Sequence, residues 1–158
     1  MCVSWEDAQA FCKKLGDGFR LPTEAQWEYA CRAGTTTVYS FGDDASRLDE
    51  YAWYEGNADS KDEKYAHVVG KKKPNPWGLY DMHGNVWEWC EDSYDEDYYE
   101  GSPASDPHNT STGAYRVLRG GGWLDYAYYC RSAIRGRGGP CITGSNIGFR
   151  VARSPSAR

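Results

Sequence analysis

The side chains through which this chain could hold a metal or attack a substrate include six cysteines and three histidines among its 158 residues. Cys2, Cys12, Cys31, Cys90, Cys130 and Cys141 include no Cys-x-x-Cys pair and no Cys/His spacing that would gather the four ligands of a zinc site. His67, His83 and His108 lack the two-histidine, one-carboxylate spacing of an iron site, and no Ser/His/Asp or Cys/His grouping points to nucleophilic catalysis. His83, inside Met82-His83-Gly84-Asn85, reads as a structural turn residue. The reactive residue types are present without the patterns that put them to work, which turns attention to recognition.

The elements that would position such a surface are legible in part. Ser4 with Asp7 forms an N-terminal capping pair, and Trp5, Ala8, Phe11, Cys12 and Leu15 mark one apolar helix face that ends at Gly16. Thr23 with Gln26 caps a second helix with the buried stripe Trp27, Ala30 and Cys31, stopped by Gly34. Cys12 and Cys31 on these faces are expected as buried thiols, which favours a reducing, cytoplasmic setting. Residues 35–74 have no helix or strand period and read as ordered loop. Val86 to Trp89 alternates as a short strand, and the acidic, tyrosine-rich run from Glu91 to Glu100 reads as a solvated loop. Further strands are expected near Tyr115–Arg119 and Ile147–Ala152, paired with each other and carrying a loop between them. The length suits one domain over residues 1–158. A net charge of −5 argues against nucleic acid as a general partner. No apolar run approaches the roughly 18 residues of a membrane span, and no leader-like opening is apparent, so the chain as given is expected to be soluble.

Five blocks, in order, carry a resemblance: Val3-Ser4-Trp5; Arg20-Leu21-Pro22-Thr23-Glu24-Ala25-Gln26-Trp27-Glu28-Tyr29-Ala30; Gly78 through Trp89, reading GLYDMHGNVWEW; Arg119-Gly120-Gly121; and Asn146-Ile147-Gly148-Phe149-Arg150. Together they resemble the formylglycine-generating enzyme, or sulfatase-modifying-factor, family. The resemblance implies an α+β chain with a C-type-lectin-like fold: two helices, small antiparallel sheets and long irregular loops.

It also implies where chemistry would sit. The founding enzyme binds copper through two cysteines shortly after its Arg-Gly-Gly-Ser block; soft thiolates suit Cu(I). Here the matching positions are Gly122 for the serine, Asp125 for the first cysteine and Cys130 for the second, so no copper and no oxidase activity are expected. Family calcium ligands carry over to Asp81 and Glu88 through carboxylates and to Gly84 and Val86 through carbonyls, a hard-oxygen set that suits a structural Ca²⁺. The alternative is that Asp81 caps its turn and Glu88 pairs with an arginine.

A branch of the same fold serves as the variable protein of diversity-generating retroelements, with an Arg-Gly-Gly-x-Trp block, then Cys-Arg-Ser-Ala-x-Arg, then x-Ile-Gly-Phe-Arg. This chain has Arg119 to Trp123, Cys130 to Arg135 and Asn146 to Arg150 at those places. Randomising the first two bases of an Asn codon excludes Lys, Glu, Gln, Met and Trp. None of the five occurs from Leu124 to Asn146, although Trp alone occurs seven times in the chain. The resemblance therefore implies a non-catalytic, hypervariable surface within about residues 123–146 that binds a protein or other macromolecular ligand. Its contact residues would be Leu124, Asp125, Tyr126, Tyr128, Tyr129, Ile134, Gly136, Gly138, Cys141, Ile142, Thr143, Gly144 and Ser145. Trp123, Cys130, Arg131, Ser132, Ala133, Ile147 and Phe149 would be scaffold. The alternative is a fixed accessory binding domain of a larger polypeptide such as a kinase, with an oxidase behind it.

Overall fold

Both helices begin where their caps dictate. In the computed structural model, which describes residues 2–153, α1 (Trp5–Leu15) starts at Ser4, whose hydroxyl accepts the Asp7 N–H at 3.1 Å while the Asp7 carboxylate accepts the Ser4 N–H at 3.0 Å. α2 (Glu24–Arg32) starts in the same reciprocal way at Thr23 and Gln26. No described helix is long and apolar enough to cross a membrane.

Six strands follow the chain as β1 (Phe19–Arg20), β2 (Trp87–Ser93), β3 (Arg116–Arg119), β4 (Arg135–Gly138), β5 (Ile147–Phe149) and β6 (Ala152–Arg153). β1 and β6 pair antiparallel as a small ribbon, and the other four form a sheet in the order β4-β3-β2-β5. Two expectations are corrected here. β2 runs parallel to β5, so the sheet is mixed, and β2 lies between the 116–119 and 147–149 strands, which therefore do not pair with each other. The single strand expected over 147–152 is divided at Arg150, which turns its guanidinium inward onto Glu88.

β4 went unread because Arg-Gly-Arg-Gly has no apolar alternation. Its glycines have a packing cause. A Cβ at Gly136 would stand 2.8 Å from the Trp87 ring, and one at Gly138 would stand 2.7 Å from the Trp89 ring. Only a strand without side chains on that face fits beneath two indoles.

The acidic run also departs from expectation at its start. Residues 91–93 complete β2, and Asp92 is 1% exposed. Its carboxylate accepts the Glu24 N–H at 2.7 Å and the Asn109 N–H at 2.8 Å. The first turn of α2 offers unpaired N–H groups and the positive end of its dipole, so a carboxylate is drawn inward there.

The core has three centres. Ala8 and Cys12 of α1 meet Leu21, Trp89, Leu118 and Ile147; Trp27 and Cys31 of α2 meet Met82, Cys90 and Val117. The third lies under the long loops, where Tyr39, Leu48 and Ala52 close over Cys130. The 35–74 segment is thus ordered around its own apolar cluster, with short 3₁₀ turns at Ala45–Glu50 and Asp59–Lys61.

Candidate functional site

Gly120 and Gly121 turn the chain out of β3 with φ of +99° and +76°. A side chain at Gly121 would collide with the Cys130 sulfur at 2.9 Å and the Tyr129 carbonyl oxygen at 3.0 Å, so the residues that follow fold back tightly over this point. They form a turn from Gly122 to Arg131 that contains the 3₁₀ segment Ala127–Cys130. Leu124, Tyr126, Tyr128 and Tyr129 stand outward from it, with Tyr126 66% exposed. The Arg131 guanidinium lies 3.6 Å from the Tyr128 ring centroid, and its Nε donates to the Tyr128 carbonyl.

What holds this turn comes from outside it and grips its main chain. The Asp125 carbonyl accepts the Glu55 N–H at 2.9 Å, the Ala127 carbonyl accepts the Tyr39 hydroxyl at 2.8 Å, and the Ser132 N–H donates to the Val38 carbonyl at 3.0 Å. His83 completes the set. Its Nδ1–H donates to the Cys130 carbonyl at 2.9 Å, while Nε2 accepts the Ser40 N–H at 3.1 Å. Burial holds this imidazole down at about 4, so it stays neutral near pH 7 and acts as a two-sided spacer between loop and turn.

The second group of nominated residues, Cys141, Ile142, Thr143, Gly144 and Ser145, occupies a loop seated beside α1, where the Pro140 carbonyl accepts the Trp5 N–H at 3.0 Å. All but the half-buried Gly144 are exposed. Trp123 ties the two loops at their base: its N–H donates to the Asn85 carbonyl at 2.9 Å and its indole N–H to the Ser145 carbonyl at 3.4 Å.

Five assignments are altered. Gly138 is buried and Gly136 half-buried inside β4, under Trp89 and Trp87, so neither offers a ligand a surface. Asp125 is half-buried, and its carboxylate faces the scaffold. Ala133, assigned to the scaffold, is exposed. Ile134 is half-buried beside the Arg119 guanidinium, which donates to its carbonyl.

At the positions matching the oxidase cysteines, Asp125 supplies no thiol, and Cys130 is fully buried, its thiol pushed up by burial away from the thiolate a metal would need. Among the described residues, no three His, Cys, Asp or Glu side chains gather as a metal site.

The calcium candidates do come together. Asp81, Gly84, Val86 and Glu88 all line one cleft of about 360 Å³, rimmed by Val69, Tyr80 and Phe149. Asp81, with φ of +58°, accepts the Gly70 N–H through Oδ2, whereas its buried Oδ1 has no partner. Glu88 is more fully occupied. Its Oε2 accepts the Trp27 indole N–H at 2.6 Å and the Arg150 Nε–H, and Oε1 accepts Arg150 Nη2–H at 2.7 Å. This is the alternative arrangement, with Asp81 holding its turn and Glu88 paired with an arginine; the unpartnered Asp81 Oδ1 is a hard oxygen that a cation in this cleft could meet.

A family model described as the sulfatase-modifying factor enzyme 1-like domain matches residues 1–155. The chain belongs to that family. The formylglycine-generating enzyme of Streptomyces coelicolor is 40% identical over 95% of this chain and 51% of its own length. A serine/threonine-protein kinase, pkn1 of Chlamydia pneumoniae, is also 40% identical, over 96% of this chain and 23% of its own. The chain thus spans about half, or about a quarter, of the curated relatives it matches. Among solved structures, Treponema denticola variable protein 1 superposes with a TM-score of 0.87 at 34% identity, covering 97% of this chain and 70% of that one. The α+β, C-type-lectin-like fold of this family is the fold found here.

Sequence reasoning missed Tyr39, Glu55 and Asp92 as residues that fix the turn and α2, and it read His83 as a structural turn residue without its partner, the Cys130 carbonyl. All act on main-chain groups distant in sequence, which leaves no local pattern to read.

Proposed function

We propose that this domain is a non-catalytic binding protein whose turn Leu124–Tyr129, with the neighbouring loop 141–145, forms a contact surface diversified at the level of the gene. The observation that carries this reading is that the turn is held through its carbonyls at residues 125, 127 and 130, by Glu55, Tyr39 and His83. A conformation fixed through main chain is indifferent to the side chains at 124, 126, 128 and 129, and that indifference is what a variable surface requires. The absence of Lys, Glu, Gln, Met and Trp from 124–146 supports it, as does the likeness to a protein named as variable.

The partner is a macromolecule. Clefts of about 280 to 530 Å³ are lined by other residues, while the tyrosines project, which suits a broad surface of rigid rings rather than an enclosed small ligand. The likeness to a kinase four times this length favours a second reading, a binding domain of fixed specificity within a larger chain. Comparison of the gene with its flanks separates the two: a near-copy of the codons for 124–145, differing only where the copy carries adenine, establishes diversification, and its absence leaves the fixed domain.

A structural calcium at Asp81, Glu88 and the Gly84 and Val86 carbonyls belongs to the same proposal. The ion would neutralise the unpartnered Asp81 oxygen and stiffen the turn that presents His83. Addition of millimolar Ca²⁺ is expected to raise the melting temperature by several degrees in the wild type and not in Asp81→Ala; no shift in the wild type removes calcium from the account.

A further inference from the structure

Asp125 behaves unlike its neighbours in the turn. Leu124, Tyr126, Tyr128 and Tyr129 point outward, whereas the Asp125 carboxylate points inward, and one oxygen, Oδ2, accepts both the Trp87 indole N–H at 2.8 Å and the Gly122 N–H at 2.9 Å. The Trp87 ring is itself seated over Gly136, where no side chain would fit. Through one side chain the turn is therefore joined to β2, and through the Trp87 ring to β4. The main chain of the same residue receives Glu55 from the far loop.

We infer that Asp125 is a positioning residue for the binding face, and that the latch onto Trp87 and Gly122 closes only with Asp or Asn at position 125, while 124, 126, 128 and 129 are open. Two donors converge on one oxygen at a fixed reach from the backbone. Asparagine can present a carbonyl oxygen there; alanine and serine are too short, and leucine or tyrosine would force the indole N–H and the Gly122 N–H to go unpaired in a half-buried site. The purpose of the latch rests on the variable-surface reading, but its operation does not depend on whether the codons vary.

Residue-resolved amide hydrogen exchange on Asp125→Ala and Asp125→Asn tests this. In the alanine variant the amides of Glu55, Gly122 and Tyr129 are expected to exchange at least about tenfold faster, with those of Trp89 and Leu118 in β2 and β3 unchanged; asparagine restores the wild-type rates to within about threefold. Trp87→Phe, which removes the same donor and keeps a ring over Gly136, is expected to reproduce the local pattern and serves if the alanine variant does not fold. Unchanged exchange at these amides in a folded variant overturns the inference. So does equal acceleration throughout β2 and β3, which would mark general destabilisation, or an asparagine variant as fast as alanine. A gene without the adenine-marked repeat would overturn diversification and leave these rates as expected.

Discussion

In the β2/β3 pair, side chains define the structure: Trp27 donates to Glu88, Arg150 grips the same carboxylate, and the fully buried Arg119 joins Glu28, Glu24 and the Ile134 carbonyl while its guanidinium lies 5.3 Å from the Trp27 ring centroid. In the adjoining turn, Leu124 to Cys130, the hydrogen bonds that arrive from the far loops fall on carbonyls, while Asp125 joins the scaffold through its carboxylate and Ala127 and Cys130 through packing. The two regions share residues at their border, since Arg119 opens directly into the Gly-Gly bend. The difference teaches that the fold separates identity-dependent from identity-independent order within a few residues. One region can then stay constant while the other changes.

The contrast is tested most severely by Arg119→Ala. Removing this cation leaves Glu24 with Arg135 alone and Glu28 with Arg32 alone, empties a fully buried site and frees the Ile134 carbonyl. Breaking a buried ion pair by deleting one member costs about 3–5 kcal/mol, so denaturant unfolding is expected to show a loss of that order. A loss below about 1 kcal/mol would mean that the charge network is as dispensable as the turn, and the contrast would collapse.

A smaller effect is expected from acid, through His83. Its folded value of about 4 lies below the ordinary 6.5 because burial disfavours the imidazolium. As pH falls the unfolded chain binds this proton first, so the stabilisation is complete above 6.5 and is lost as pH drops through the folded value. The cost is about 2 kcal/mol by pH 5, before most carboxylates titrate. Stability curves from pH 7 to 5 should show this slope in the wild type and lack it in His83→Gln. Because His83 joins Ser40 to the Cys130 carbonyl, the turn of the folded protein should loosen only lower, as pH falls through about 4, where the folded imidazole itself takes up the proton. Tyr128 and Tyr129 fluorescence, or exchange at the Tyr129 amide, reports it.

These anchors explain which parts of the molecule could be read from sequence. The capping pairs Ser4/Asp7 and Thr23/Gln26 are local, and each announced a helix that forms at that residue. The Gly-Leu-Tyr and Arg-Gly-Gly blocks identified the family. By contrast, Asp92 looked like one acid among many until α2 was placed above it, and Gly136 read as a contact residue of the variable surface until Trp87 was placed against it. Both owe their roles to partners far away in the chain. The proposed contact surface was half legible for the same reason: tyrosines announce exposure poorly or well according to what lies beneath, and Asp125 carries no sign that its carboxylate turns inward.

The smallest stability effect, and the sharpest statement of the contrast, belongs to Tyr126, Tyr128 and Tyr129. Each projects from a turn whose main chain is held elsewhere, so replacing Tyr126 or Tyr129 by alanine or serine is expected to move unfolding free energy by no more than about 0.5 kcal/mol. Tyr128 is the informative member, because its ring stacks against Arg131 and its loss also removes that contact. Even so, a surface cation–π pair is worth only about 0.5–1 kcal/mol, well below the Arg119 effect. A triple alanine variant that keeps its fold, its near-ultraviolet dichroism from the buried tryptophans and the exchange protection of Gly122 would show a turn that does not need its own side chains. A triple variant that unfolds would place the tyrosines in the scaffold and confine the proposed contact surface to the loop at 141–145 alone.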